Sequence, residues 1–444
     1  MNLIKLSVIV IFPCLCLTQP DSDESSIPPD ISYEDYNYNY SSLANSSEEI
    51  MKRFYNPDEE WNQVDDCLIS TQEENASKMP IPYMKNGTRL VIMYPDIDGL
   101  LNIKHDITFK LLCANSRFKH KDLNQTSEVE VKCVVDAQLL YNNRLYRYND
   151  FECESMPKSE LVVTDKKCQS NNYTVAEVGF RSDEGLIVLY KICFDLKTKN
   201  ALYTWYDARV PYYDISQKYK KRPSFHKSKE LYGSIDVNKK YTVKEQRKTL
   251  ATILKSDDLA NKYIMDDSKH SLSRGHLAAK ADFYYAFEQT ATFYYANVAP
   301  QWQQFNGDKW ADLEKTYREM MDQDEDIHVV VTGTYGSCML PDVNGVLQPL
   351  FLDPPKNLPV PLFYWKIMYD LFEKKGIVFL GMNNPYKEVD KSMFICKNEC
   401  EGGYKGLVDI PDNKHEANIF CCSIEGFEQV YGKLDPLIFE KINY

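Results

Sequence analysis

The stretch SRGHLAAKADF, residues 273–283, sets one histidine, His276, on a Ser-Arg-Gly pedestal ahead of a mixed apolar and charged run. One histidine is weak evidence for chemistry, so the residues that follow it decide the reading. ATFYYANVAPQ, residues 291–301, is rich in β-branched and aromatic residues and predicts a strand ending at Pro300. Next comes WQQFNGDKWADLEKTYREM, residues 302–320, which predicts a helix beginning near Asn306 or Gly307 with Asn306 at the N-cap. Steps of four place Asn306, Trp310, Glu314 and Arg318 on one stripe, while Leu313, Tyr317 and Met320 lie on another face that can pack inward. An Asn, a Glu and an Arg on one stripe near a histidine could hold a hydrated cation and a phosphate. On spacing alone the plainer reading, a capped helix with a solvated Glu/Arg pair, is favoured.

The rest of the chain sets the context. Residues 1–18 carry Lys5 ahead of the apolar run LSVIVIFPCLCL, the pattern of a cleaved secretory signal, with the cut expected just before Gln19. No later stretch approaches 18 uninterrupted apolar residues, so no membrane anchor is expected. Beyond the signal lie 11 of the 13 cysteines, and in an oxidising compartment these should mostly pair, with one left over. CKNEC with Cys421 and Cys422 has the ligand types of a zinc site, but in a secreted chain disulfides are favoured. Asn39, Asn45, Asn75, Asn86, Asn124 and Asn172 each begin an N-x-Ser/Thr triplet and are candidate glycan sites, all ahead of the histidine.

A net charge of −13 argues against a nucleic-acid partner until its distribution is considered. Residues 19–66 hold 13 acidic residues against Lys52 and Arg53, so the chain from Cys67 onward is near neutral, at about −3. That acidic segment is poor in aliphatic residues and is expected to be a disordered tail. Its tyrosines Tyr33, Tyr36, Tyr38 and Tyr40 beside Glu34 and Asp35 are candidates for sulfation, and a plain solubilising tail is the alternative.

Short strand-like runs and cysteines 15 to 25 residues apart predict a small, disulfide-rich β domain over residues 67–185, without evident chemistry. Residues 186–435 mix strand patterns such as HVVVTGTY with amphipathic stretches and predict an α+β domain. Just before the histidine, QKYKKRPSFHKSKELYG gathers Lys218, Lys220, Lys221, Arg222, Lys227 and Lys229, with Tyr219 and Phe225 interleaved. Cations track phosphates and rings stack on bases, which suits sequence-blind nucleic-acid binding, whereas a solvated charged loop is the bland alternative.

Taken in order, RGH, NVAPQ, FNGDKWADLE and an Arg four residues after the Glu resemble the non-specific DNA/RNA endonuclease family, whose members carry the ββα-metal (His-Me finger) motif. RGHLAAKADF, APQWQQFN and a cysteine-rich N-terminal domain look most like its secreted insect branch. The motif covers residues 273–318, and the strand pattern extends it more loosely over most of 186–435. The resemblance implies a ββα-metal nuclease domain and hydrolysis of DNA and RNA, double-stranded forms included, with little sequence preference. It implies His276 as general base and Asn306 as the one direct protein ligand of Mg²⁺, with Mn²⁺ as the alternative. It further implies that Glu314 orients the cation's water, that Asn297 steers the histidine or the phosphate, and that Arg274 and Arg318 neutralise phosphate charge. Bacterial members have Asp where this chain has Ser273; the position is neither the base nor the ligand, so tuning of rate and metal preference rather than loss of activity is expected. Two other readings stay open: a nucleic-acid binder with weak or lost catalysis, and an added inhibitor role through a sulfated tail.

Overall fold

The computed structural model describes residues 66–72, 76–96, 98–123, 126–134, 137–208, 222–321, 328–371, 374–387, 393–400 and 419–439. The signal, the acidic tail up to residue 65, Asn75, Asn124, Lys218, Tyr219, Lys220 and Lys221 lie outside the described residues. The protein is mixed α/β and richer in sheet than in helix.

Its frame is an eight-stranded antiparallel sheet. The strands run, in spatial order, Ile419–Ser423, Lys375–Met382, Phe363–Asp370, His328–Tyr335, Asn200–Ala208, Gly185–Asp195, Tyr173–Ser182 and Glu160–Cys168. Successive side chains of a strand point to opposite faces, and the two faces here bury different cores. Val329, Val331, Tyr203, Trp205, Trp365 and Ile367 pack on one side, under the C-terminal helix Ile424–Tyr431. Val330, Tyr206 and Tyr364 pack on the other, with the histidine segment and the helix Lys309–Met321. A strand buried on both faces reads as a near-continuous apolar run, which is why HVVVTGTY and FYWKIMYD look as they do. Lys366 interrupts the second of these runs and points to the histidine side, where its ammonium donates to Thr332 Oγ1 at 2.7 Å.

Residues 67–153 form a six-stranded antiparallel sheet and a two-stranded one. Cys67–Cys133 and Cys113–Cys153 close them. The cysteine-rich region was expected to end near residue 185, yet Glu160–Cys168 and Tyr173–Ser182 pair in the large sheet, and Cys168–Cys193 sits within that sheet. Hairpin strands of that length carry no sequence mark of which sheet they join. Cys396–Cys422 and Cys400–Cys421 complete five disulfides, so the CKNEC cysteines are bonded, and buried Cys338 is the one left over. Asn86 and Asn172 both stand exposed at hairpin ends.

Candidate active site

The strand Leu272–His276 pairs antiparallel with Val298–Trp302, His276 facing Val298 and Arg274 facing Pro300. Because side chains alternate, Arg274 and His276 project to the same side. Gly275 faces the other way. A Cβ there would stand 2.1 Å from Gln301 Oε1, 2.7 Å from Gln301 Cβ and 2.7 Å from the Tyr364 hydroxyl, which is itself tied to Ala299 O. The glycine of RGH is therefore a close-approach residue. We expect Gly275→Ala to cost about 1–3 kcal/mol, the range for overpacking, and to displace His276 enough to lower cleavage. Unchanged melting temperature and rate would show that the strand can yield. Ser273 donates to Gln301 O at 3.0 Å and so also ties the two strands.

His276 packs against the rings of Phe225 at 5.3 Å and Phe293 at 5.0 Å. Its Nε2 is enclosed without a hydrogen-bond partner, which leaves Nδ1 as the accessible ring nitrogen. Burial, with Arg222 and Lys280 nearby, pulls its pKa down to about 3, so the imidazole is neutral at pH 7. Arg274 lies among three rings, those of Tyr241, Phe225 and Tyr295, at 5.0–5.6 Å, and donates to Asn238 Oδ1 at 3.0 Å. Tyr295 donates to the same oxygen at 2.8 Å. The arginine is held in a fixed direction by groups that leave its positive charge uncancelled.

Asn297 is fully buried. Its Oδ1 accepts from Ala278 N at 2.9 Å, and its amide donates to Ala278 O and Thr292 O. Steering of the phosphate was one of its two expected tasks, and that is corrected here: both amide hydrogens are committed to backbone. What it holds in place is the chain just after His276.

The helix was expected to start near Asn306 or Gly307, with Asn306 at the N-cap. Instead a short helix, Gln303–Asn306, ends there and the long helix begins at Lys309. Asn306 is half-buried, and its side chain has no hydrogen bond among the described residues. In the long helix Trp310 and Arg318 turn inward along with Leu313, Tyr317 and Met321. Arg318 is 6% exposed, and its guanidinium donates to Asp282 Oδ1 at 2.8 Å. The expectation that it neutralises phosphate is corrected accordingly: its charge is already matched inside the protein. Asp282 also accepts from the Tyr206 hydroxyl and lies 4.0 Å from the buried Lys366 ammonium, which in turn sits over the Tyr317 ring at 4.7 Å. Glu314 stands beside this cluster. Burial, reinforced by Asp282, pushes its pKa up to about 7 against the opposing pull of Lys366 and Arg318.

From the basic stretch, the fold brings Arg222 to the site, its guanidinium 5.9 Å from the Phe293 ring centre. His226 bonds with the backbone of Phe293 and Tyr295, which places Phe225 over His276. Lys227 donates to Gly233 O and Ile235 O, so its ammonium is occupied, while Lys229 is exposed on a one-turn helix. Sequence reasoning missed Lys280, Asp282 and Lys366. The first two follow the histidine by four and six residues, and the third is the lone lysine in FYWKIMYD. Among the described residues no three His, Cys, Asp or Glu side chains gather as a metal cage. A half-buried amide such as that of Asn306, with no hydrogen bond of its own among the described residues, is the type of single ligand that suits a hard cation keeping most of its water.

Residues 171–433 match the family described as DNA/RNA non-specific endonuclease. The chain is similar to Salivary protein Tsal2A of Glossina morsitans morsitans, at 27% identity over 374 residues, covering 82% of this chain and 90% of that one. It is similar to the Salivary endonuclease of Lutzomyia longipalpis at 26% identity over 299 residues, 66% of this chain and 69% of that one. Salivary protein Tsal1 of Glossina morsitans morsitans matches at 26% identity over 258 residues, 56% of this chain and 62% of that one. The family match runs from the turn before the strand Tyr173–Ser182 to just past the C-terminal helix, more than half the protein, and it includes every element that frames His276: the chain belongs to the DNA/RNA non-specific endonuclease family.

Proposed function

We propose that the protein is a secreted, metal-dependent endonuclease that hydrolyses phosphodiester bonds of DNA and RNA with little sequence preference, through a ββα-metal site. The observation that carries this is the neutral, directed imidazole of His276 two residues from Arg274, on a strand facing the one that leads to Asn306. Secretion is supported by five disulfides and by salivary relatives.

In this reading Nδ1 of neutral His276 accepts the proton of the attacking water as the bond to phosphorus forms. Asn297, by pinning Ala278, fixes where the imidazole points. Arg274 and Arg222 face the phosphate oxygens, and Arg274 has little entropy left to lose on binding because its rings already hold it. Asn306 would hold the Mg²⁺-type cation with one oxygen, and Glu314 would accept hydrogen bonds from its water. Such a cation, when bound, stabilises charge on the phosphate and the leaving oxygen. The deciding experiment is digestion of a plasmid and of double-stranded RNA with Mg²⁺ and with chelator. Tight binding without Mg²⁺-dependent cleavage would leave the protein a nucleic-acid binder.

Two outcomes follow from the site chemistry. Asn306→Ala should raise the Mg²⁺ needed for half-maximal cleavage by at least about 10–100-fold, the range for losing even a group that only supports a metal ligand, and excess Mg²⁺ should recover part of the rate. If added Mg²⁺ recovers nothing, Asn306 is not the ligand. The pH profile carries the second outcome. With His276 at about 3 and Glu314 at about 7, the acid limb of kcat/KM belongs to Glu314, since the free carboxylate is lost as pH falls through 7. A bound cation favours the carboxylate, so the limb should move to lower pH as Mg²⁺ rises, and Glu314→Gln should remove it. A limb that ignores both changes would contradict the assignment.

A further inference from the structure

The cysteine-rich region has no place in the proposed chemistry, yet it docks on the segment that walls the histidine. Thr71 shares a hydrogen bond of 2.7 Å with the Tyr284 hydroxyl, Tyr285 donates to Met93 O at 2.7 Å, and Tyr294 donates to Ser159 O at 3.0 Å. All three partners fall within the eleven residues that include Phe293, whose ring touches His276.

From that last hydrogen bond a two-chain ribbon leads away. Lys158 N donates to Ala114 O, Ser155 bonds with Ser116 Oγ, Glu154 N donates to Arg117 O and Lys119 N donates to Glu152 O. Cys113–Ser116 form a turn with Asn115 at φ 53°, and the chain then passes through Arg117 and Phe118 to Lys119. Ala114 and Phe118 are buried, whereas Asn115, Arg117 and Lys119 face water. Lys121 and Lys158 are exposed as well. Arg117, Lys121 and Lys158 have no ion pair among the described residues. Glu152 is shared by Lys78 and Lys119, Glu154 is a second acid on the ribbon, and Asp122 beside Lys121 is paired with Arg144 at 2.8 Å. The surface is therefore a net-positive strip that starts one residue from the wall of the site.

We propose that this ribbon is a second nucleic-acid surface: it carries the backbone of a long substrate beyond the cleavage site, with Arg117, Lys119, Lys121 and Lys158 bound to its phosphates. The cysteine-rich region then sets affinity for length, while the chemistry stays with His276. The inference rests on the nuclease reading above.

The test uses the full chain and the variant Arg117→Gln/Lys121→Gln/Lys158→Gln, whose positions are exposed and make no buried interactions. Binding to a duplex of about 30 base pairs is measured over a salt series, beside cleavage of a hexanucleotide. Every phosphate left without its cation should flatten the slope of log K against log salt by about 0.9, so the three substitutions together should flatten it by about 2 to 3. Duplex affinity should fall at least tenfold while hexanucleotide cleavage stays within twofold. An unchanged slope with wild-type duplex affinity overturns the ribbon and leaves the nuclease reading standing. An equal loss on the hexanucleotide also overturns it, because those charges would then act at the site itself. A wild type that neither binds nor cleaves either substrate overturns the nuclease reading, and this proposal with it.

Discussion

His276→Ala should lower cleavage by about 10²–10⁴-fold, the usual worth of a general base, while affinity for nucleic acid in Mg²⁺ stays within a factor of two. The two halves of that result come from one property. Burial and the nearby cations Arg222 and Lys280 hold the imidazole neutral far below pH 7, so the substitution removes a proton acceptor and no positive charge. A histidine that bound phosphate as imidazolium would lose affinity as well, and increasingly so as pH fell. Cleavage rate and equilibrium binding measured on the same preparations distinguish the cases. A wild type that cuts no faster than His276→Ala would remove the enzyme reading altogether.

What the sequence revealed and what it hid divide along a physical line. Two local patterns were legible, the pairing of nearly all the cysteines and the proximity of RGH to the helix that follows NVAPQ. The strand expected over 291–301 is instead the shorter Val298–Trp302, which runs through Pro300 after a 3-10 turn at Tyr295–Asn297. Two misreadings share one cause. Glu160–Ser182 joined the large sheet, and Arg318 turned inward to Asp282, because of partners remote in sequence. A strand's sheet is chosen by non-local pairing, and an arginine's environment by whether a carboxylate waits in the core. Neither leaves a mark in a window of ten residues. Asn306 failed differently, since a short helix that ends at Asn306 is separated from the long one by the turn residues Gly307 and Asp308, a boundary that a sequence pattern does not resolve. The lone lysine in FYWKIMYD was the one visible hint of the buried cluster: a charge inside a doubly buried strand must have a partner, and here Thr332 and Asp282 supply it.

That cluster makes the second large effect one of stability rather than binding. Arg318→Ala removes the guanidinium paired at 2.8 Å with a carboxylate that has no exposed side-chain surface. Breaking a buried pair by deleting one partner costs about 3–5 kcal/mol, because the remaining charge is left without compensation. Here Asp282 keeps the Tyr206 hydroxyl and Lys366 at 4.0 Å, so the lower end of that range is expected. Denaturant unfolding should register the loss, and Asp282→Asn/Arg318→Met, which removes both charges together, should recover much of it. Affinity for nucleic acid, measured where each variant is fully folded, should match wild type, since the guanidinium never reaches the surface. The rate need not follow the stability: Asp282 lies six residues after His276 and Arg318 one helical turn after Glu314, so their ion pair joins the two elements on which the proposed base and carboxylate stand. Weakened binding with unaltered stability would place Arg318 on the phosphate instead, and would mean that the helix rotates when substrate arrives.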